Sequence, residues 1–228
     1  GHESVLLTQS GWAVNVGFVQ SIAGPNIPVY FDMMVHASFH EGIRSANARG
    51  IPFQHNDVEH LCDQIRESGP GIVLAESVYS TDGTLSPLPD LTRTAAELGC
   101  VVVIDESHSL GTHGPHGEGL VASLQLHPWV HAVTSSLSKT FVGRGGLIAC
   151  STKLREFVRF TSLPAIFSSA LLQHEIAGLE AALDVIRADD ERRRRLRDNA
   201  NALRKGLDEL GYFVAPASAQ IIAPEPGR

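Results

Sequence analysis

The runs "GIVLAESV" (71–78) and "CVVVID" (100–105) are apolar without polar alternation. That is the pattern of parallel strands buried on both faces. Shorter apolar runs recur along the chain and predict strands over Ser4–Gln9, Ile27–Asp32, Gly71–Val78, Val101–Asp105, Val130–Ser135 and Gly146–Ser151. Helical spacing between them predicts helices over Trp12–Ala23, Ser38–Arg49, Asp57–Glu67, Asp90–Leu98 and Thr152–Thr161. The alternation predicts an α/β fold with a mostly parallel central sheet flanked by helices. In such sheets binding residues gather where strands end and loops begin. From about Leu171 to Leu210 the pattern is helical, with an apolar stripe at Leu196, Ala200, Leu203, Leu207 and Leu210. Gly211 ends it, and "YFVAPASAQIIAPEPGR" has β character. We therefore expect a large domain over 1–180, then connecting helices and the start of a smaller α+β domain over 181–228.

Composition narrows the function classes. The chain has 228 residues, 43% hydrophobic and 19% charged, enough for a substantial core. A net charge of −7 argues against nucleic acid, which needs a basic stripe. The Arg run at 192–195 is the local exception. Asp189, Asp190 and Glu191 precede Arg193, Arg194 and Arg195 by four residues, so a solvated helix face with i,i+4 ion pairs is expected. No apolar run approaches the ~20 residues that span a bilayer, and no secretory signal opens the chain. The expected partners thus exclude membrane and nucleic acid, and the expected location is cytoplasmic. The first residue is Gly rather than Met, so the chain is expected to be trimmed, processed or partly recorded. Cys62, Cys100 and Cys150 form no CxxC pair and are expected to be reduced structural thiols.

Candidate chemistry concentrates at strand ends. In "VVVIDESHSLGTHGPHGEG" (101–119), Asp105 stands at a strand tip and His108 follows three residues later. Asp105, His108, His113 and His116 could hold a metal, as in a metal-dependent hydrolase. However, His113 and His116 lie in a Gly-rich loop rather than on a rigid element, and are expected to be exposed. Downstream, "VHAVTSSLSKTFVGRGG" carries Lys139 after a strand, among hydroxyls and glycines. Lysine forms a Schiff base with an aldehyde cofactor. Pyridoxal phosphate needs that lysine, a carboxylate at its ring nitrogen, a phosphate cradle and a group packed on the ring. Asp105 suits the nitrogen and His108 the phenolic oxygen. Ser10, Gly11 and Trp12 begin a helix, where backbone N–H groups favour an anion, and Ser136 adds a hydroxyl. His36 in "MVHASFHEG" is a candidate for the ring face. No G-x-S-x-G elbow, P-loop or dinucleotide glycine motif follows a strand.

Together, "DESHSLG", "SSLSKTF", "SGWAVNVG", "HASFHEG" and "ESVYSTDGTLSPL" resemble the α-oxoamine synthases, pyridoxal-phosphate enzymes of fold type I. The resemblance runs in order over essentially the whole chain. It implies that Lys139 carries the cofactor, Asp105 and His108 hold the ring, and His36 stacks on it. It places Gly11, Trp12 and Ser136 at the phosphate and Ser80 near the cofactor. In "PAIFSSALL", it implies that Ser168 and Ser169 reach the neighbouring subunit's phosphate, in a homodimer with shared sites. The motifs "QSGWAVNVG", "IPVYFD", "IPFQHND" and "HSLGTHGPHGEGL" look most like the autoinducer synthases of quorum sensing, which condense a medium-chain acyl-CoA with a small amino acid or S-adenosylmethionine. Another oxoamine synthase, a class I/II aminotransferase or a non-catalytic dimeric fragment are the alternatives. The family's N-terminal arm and its substrate-carboxylate arginine have no match up to Arg228, so the chain alone is expected to carry the cofactor site but not full activity.

Overall fold

The computed structural model describes residues 1–215 and 220–226. Arg228 lies outside them, as does part of the C-terminal β-like stretch.

A seven-stranded sheet forms the centre, in the order β1–β7–β6–β5–β4–β2–β3. Its strands are β1 (Ser4–Thr8), β2 (Pro28–Asp32), β3 (Arg49–Phe53), β4 (Ile72–Glu76), β5 (Val101–Asp105), β6 (Ala132–Ser136) and β7 (Gly146–Cys150). The five strands from β3 to β6 are parallel, whereas β7 runs antiparallel to both β6 and β1. All five residues of β4 are buried, as the unbroken apolar run predicts.

Each face of the sheet carries its own core. On one face α1 (Gly11–Ile22), α2 (Ala37–Ser45) and α6 (Thr152–Thr161) cover Leu74, Val103 and Ile148, with Phe18 and Phe39 fully buried between them. On the other, α3 (Val58–Ser68), α4 (Leu88–Glu97) and the short α5 (Leu120–Ser123) cover Val73, Val102 and Ile104. Side-chain alternation supplies the two cores from alternate residues of the same strands. Cys62, Cys100 and Cys150 are free and buried in this packing, where desolvation pushes their thiols up.

Several expectations need correction. The helix expected over Ser38–Arg49 stops at Ser45, and Arg49 opens β3, which pattern reading misses. Gly50 and Pro52 disguise that strand; they are tolerated because β3 is an edge, bonded only to β2. The helical stretch from Leu171 to Leu210 is two helices, α8 (Gln173–Ala188) and α9 (Asp190–Glu209), preceded by α7 (Leu163–Phe167). Asp189 breaks the run by capping α9, its side chain accepting from Arg192 N–H.

The acid–arginine pairs close at i,i+3 rather than i,i+4: Arg192–Asp189, Arg193–Asp190 and Arg194–Glu191, with Arg194–Asp198 the i,i+4 pair. Nor is the whole run solvated. Arg193 is buried and donates to the carbonyls of Ile186 and Pro115, tying the start of α9 to the Gly-rich loop. Of the apolar stripe on α9, Ala200 is buried while Leu203 and Leu210 are exposed. β8 (Tyr212–Phe213) and β9 (Glu225–Pro226) make a separate two-stranded ladder, consistent with the β character expected there.

Candidate active site

A cavity of about 260 Å³ opens at the carboxyl ends of β4, β5 and β6. It is where an open α/β sheet places ligands. Among the sequence candidates it gathers Gly11, Trp12, His36, Asp105, His108, Ser136 and Lys139.

The helix α1 supplies one wall. Ser10 caps it, its Oγ accepting from Ala13 N–H at 3.1 Å. The remaining N–H groups of the first turn have no partner within the helix and carry its positive dipole end, which suits an anion. Gly11 is required by packing: a Cβ there would stand 2.5 Å from Ser136 Cβ. The glycine thus lets the helix start press against the tip of β6. Ser136 Oγ and Ser138 Oγ lie 2.8 Å apart beside it, adding two hydroxyls.

The strand tips supply the floor. Asp105 ends β5, 4% exposed, with both carboxylate oxygens engaged. Its Oδ2 accepts from Asn15 Nδ2 at 2.7 Å and its Oδ1 from Ser107 N–H at 2.8 Å. Glu76 ends β4 in direct register with Asp105 and is equally buried. Its Oε1 accepts from His36 N–H at 2.5 Å. Burial, and then the Asp105 charge, push the Glu76 carboxyl up to about 8. With its carboxyl raised that far by burial, Glu76 holds a proton at neutral pH.

The rings and the amine close the space. His36 caps α2, its Nδ1 accepting from Ser38 N–H, and its ring meets Trp12 edge-on with centroids 6.1 Å apart. Desolvation, with the Lys139 charge adding to it, holds His108 down at about 4, so its ring is neutral. Lys139 follows β6 on an exposed turn and faces into the cavity.

Other candidates fall elsewhere. Ser80 is not on the cavity wall; its backbone N–H bonds Glu76 just behind it. Ser168 and Ser169 line a different hollow with Leu7 and Thr8, near the other sheet edge. The three histidines proposed for a metal are separated. His108 faces Lys139, His116 is exposed, and His113, expected to be exposed, is half-buried against Leu196 and Arg197 of α9. The described residues contain no group of three or more metal-ligating side chains.

Sequence reasoning missed Asn15, Glu76, Ser107 and Ser138. Two of these leave a trace. Asn15 interrupts the apolar face "AVNVGFV", and Glu76 interrupts a buried strand. A polar residue inside an apolar run needs a partner, and for both that partner is at this site.

Comparison with known proteins gives the family and the fold. The chain is 48% identical over 227 residues to a CAI-1 autoinducer synthase of Vibrio campbellii, covering 100% of this chain and 58% of the relative. It is 30% identical to an 8-amino-7-oxononanoate synthase of Thermosipho melanesiensis, covering 96% of this chain and 57% of the relative. Among solved structures, a serine palmitoyltransferase from S. paucimobilis with a bound PLP–myriocin adduct superimposes with a TM-score of 0.93 at 28% identity, covering 100% of this chain and 60% of that one. The chain therefore spans somewhat under two thirds of the length of these relatives. The sheet and its helices have the fold type I architecture that the motifs imply. Residues 1–225 match the profile of aminotransferase class I and II, and the chain belongs to that family.

Proposed function

We propose that this chain is the cofactor-binding part of a pyridoxal-phosphate-dependent acyltransferase. The enzyme would condense a medium-chain acyl-CoA with a small amino acid or S-adenosylmethionine to give an α-aminoketone used in cell–cell signalling. The observation that carries the reading is the cavity itself, which pairs a buried Asp105, held at both oxygens, with Lys139 beside the start of α1. The 48% identity to a CAI-1 autoinducer synthase supports the choice of substrates.

The residues suit the cofactor. A Cβ on Gly11 would fill the cradle between α1 and Ser136, so the glycine keeps room where N–H groups and hydroxyls converge on an anion. Gly11, Trp12 and Ser136 would hold the phosphate, Asp105 the ring nitrogen and its proton, and neutral His108 the phenolic oxygen. His36 would cover one ring face and keep water off it. Lys139 would anchor the aldehyde carbon and move a proton at the substrate's α-carbon. Bound there, pyridoxal phosphate supplies an electron-accepting ring that stabilises negative charge on that carbon.

Ser80 is assigned to the rim behind Glu76. Ser168 and Ser169 are assigned to the phosphate of a second subunit, in a homodimer with shared sites. The exposed Phe160 and Phe167 nearby give that contact apolar surface. Residues 1–180 would be the large domain and 181–228 the passage into the smaller one. No helix of the described residues is long and apolar enough to cross a membrane.

The test is turnover by the full-length protein. With decanoyl-CoA and 2-aminobutyrate, we expect release of free CoA and a matching amount of aminoketone. A keto acid formed without CoA release would make the protein an aminotransferase instead.

A further inference from the structure

Asn15 and Ser38 connect the two groups that clasp the cofactor position from different elements. Asn15 sits on α1, 2% exposed, and its amide nitrogen donates in two directions: to Asp105 Oδ2 at 2.7 Å and to Ser38 Oγ at 3.0 Å. The Ser38 hydroxyl, itself fully buried on α2, lies 2.8 Å from His36 Nδ1. Hydrogen-bond polarity runs one way along this path. An ionised carboxylate only accepts, so the Asn15 amide must turn its NH₂ towards Asp105. The same NH₂ then donates to Ser38 Oγ, which leaves the hydroxyl proton free for His36 Nδ1. The backbone N–H of Ser38 also points at Nδ1, at 3.3 Å, and an N–H cannot reverse its role. Both donors require a lone pair on Nδ1, so the ring proton belongs on Nε2.

We propose that Asn15 and Ser38 are positioning residues that lock His36 as the neutral Nε2–H tautomer and tie its ring to Asp105. One anion thus sets both the cofactor's ring nitrogen and the orientation of the ring that covers it. The Nε2–H would be left to face the cavity, as a donor to an acceptor on the amino substrate. The catalytic consequence rests on the proposed function, but the tautomer does not.

The test separates the two. Ring-nitrogen NMR of the full-length protein, with His36 assigned by its substitution to Asn, reports directly which nitrogen carries the proton. The expected result is an acceptor-type Nδ1 and a protonated Nε2 at neutral pH in the unsubstituted protein. A protonated Nδ1 would overturn the proposal, whatever the enzyme's activity. In Ser38→Ala the His36 signals should move towards a tautomer mixture, and unchanged signals would remove Ser38 from the path. In Asn15→Leu, Asp105 loses a charge-assisted bond, so pyridoxal phosphate should bind about tenfold or more weakly. Unchanged binding would remove Asn15 from the path. If either variant fails to fold, the spectrum of the unsubstituted protein still decides the tautomer. A confirmed tautomer in a protein lacking acyltransferase activity would leave this proposal standing and retire the reading of function.

Discussion

Asp105 and Lys139 face one cavity from walls built on opposite principles. The Asp105 wall is made of strand tips and buried helix residues. Its carboxylate is 4% exposed and takes one bond from the backbone and one from Asn15. The Lys139 wall is a turn after β6; Lys139 and Ser138 are exposed, and no hydrogen bond or ion pair holds Nζ among the described residues. The difference matches two tasks. A group that holds a ring charge throughout a reaction gains from rigidity and low dielectric. A lysine that must be released and must then move a proton gains from freedom.

Three substitutions sharpen that contrast, from the largest effect to the smallest. Asp105→Ala removes a carboxylate from the rigid wall and strands two donors. Pyridoxal phosphate affinity, followed by absorbance titration, should fall roughly a hundredfold, and an unchanged affinity would place the ring elsewhere. Glu76→Gln addresses the neutral partner. The folded carboxyl ionises at about 8, against 4.5 in the unfolded chain. Between those values the folded state keeps a proton that the unfolded state has lost. Stability of the cofactor-free protein should therefore fall by about 1.4 kcal/mol per pH unit from this group as pH rises through that window, and carry no such penalty below it. Glutamine mimics the protonated form, so denaturation midpoints of the variant should lose that slope. Retention of the full slope would show that Glu76 is not its source. Gly11→Ala probes the junction between the walls. The added methyl meets Ser136 Cβ and should cost about 1–3 kcal/mol in urea denaturation. A neutral result would mean that the start of α1 can move away from β6 freely.

The same contrast explains what could be seen in the sequence. Asp105 closes an unbroken apolar run with His108 three residues on, and Lys139 follows a shorter apolar strand start and a run of hydroxyls, so their places at strand ends are legible from the pattern. The fold class is legible for the same reason, because buried parallel strands leave little room for polar residues. Asn15 and Ser38 are harder. They belong to helices, and their role depends on how α1 and α2 pack against each other on one face of the sheet, a tertiary fact that spacing does not encode. β3 was hidden because Gly50 and Pro52 look like turn residues until its edge position is known. Local charge spacing makes Arg193 look like a surface residue because it says nothing of the loop carbonyl that the side chain reaches.

The claim on which the rest depends is that Lys139 is the residue bearing the cofactor. Borohydride reduction of the full-length, cofactor-loaded protein, followed by peptide mapping, tests it directly. The account predicts a single pyridoxyl group fixed on Lys139, and no fixed label in Lys139→Ala. A label on another lysine, or one that persists in Lys139→Ala, would contradict it.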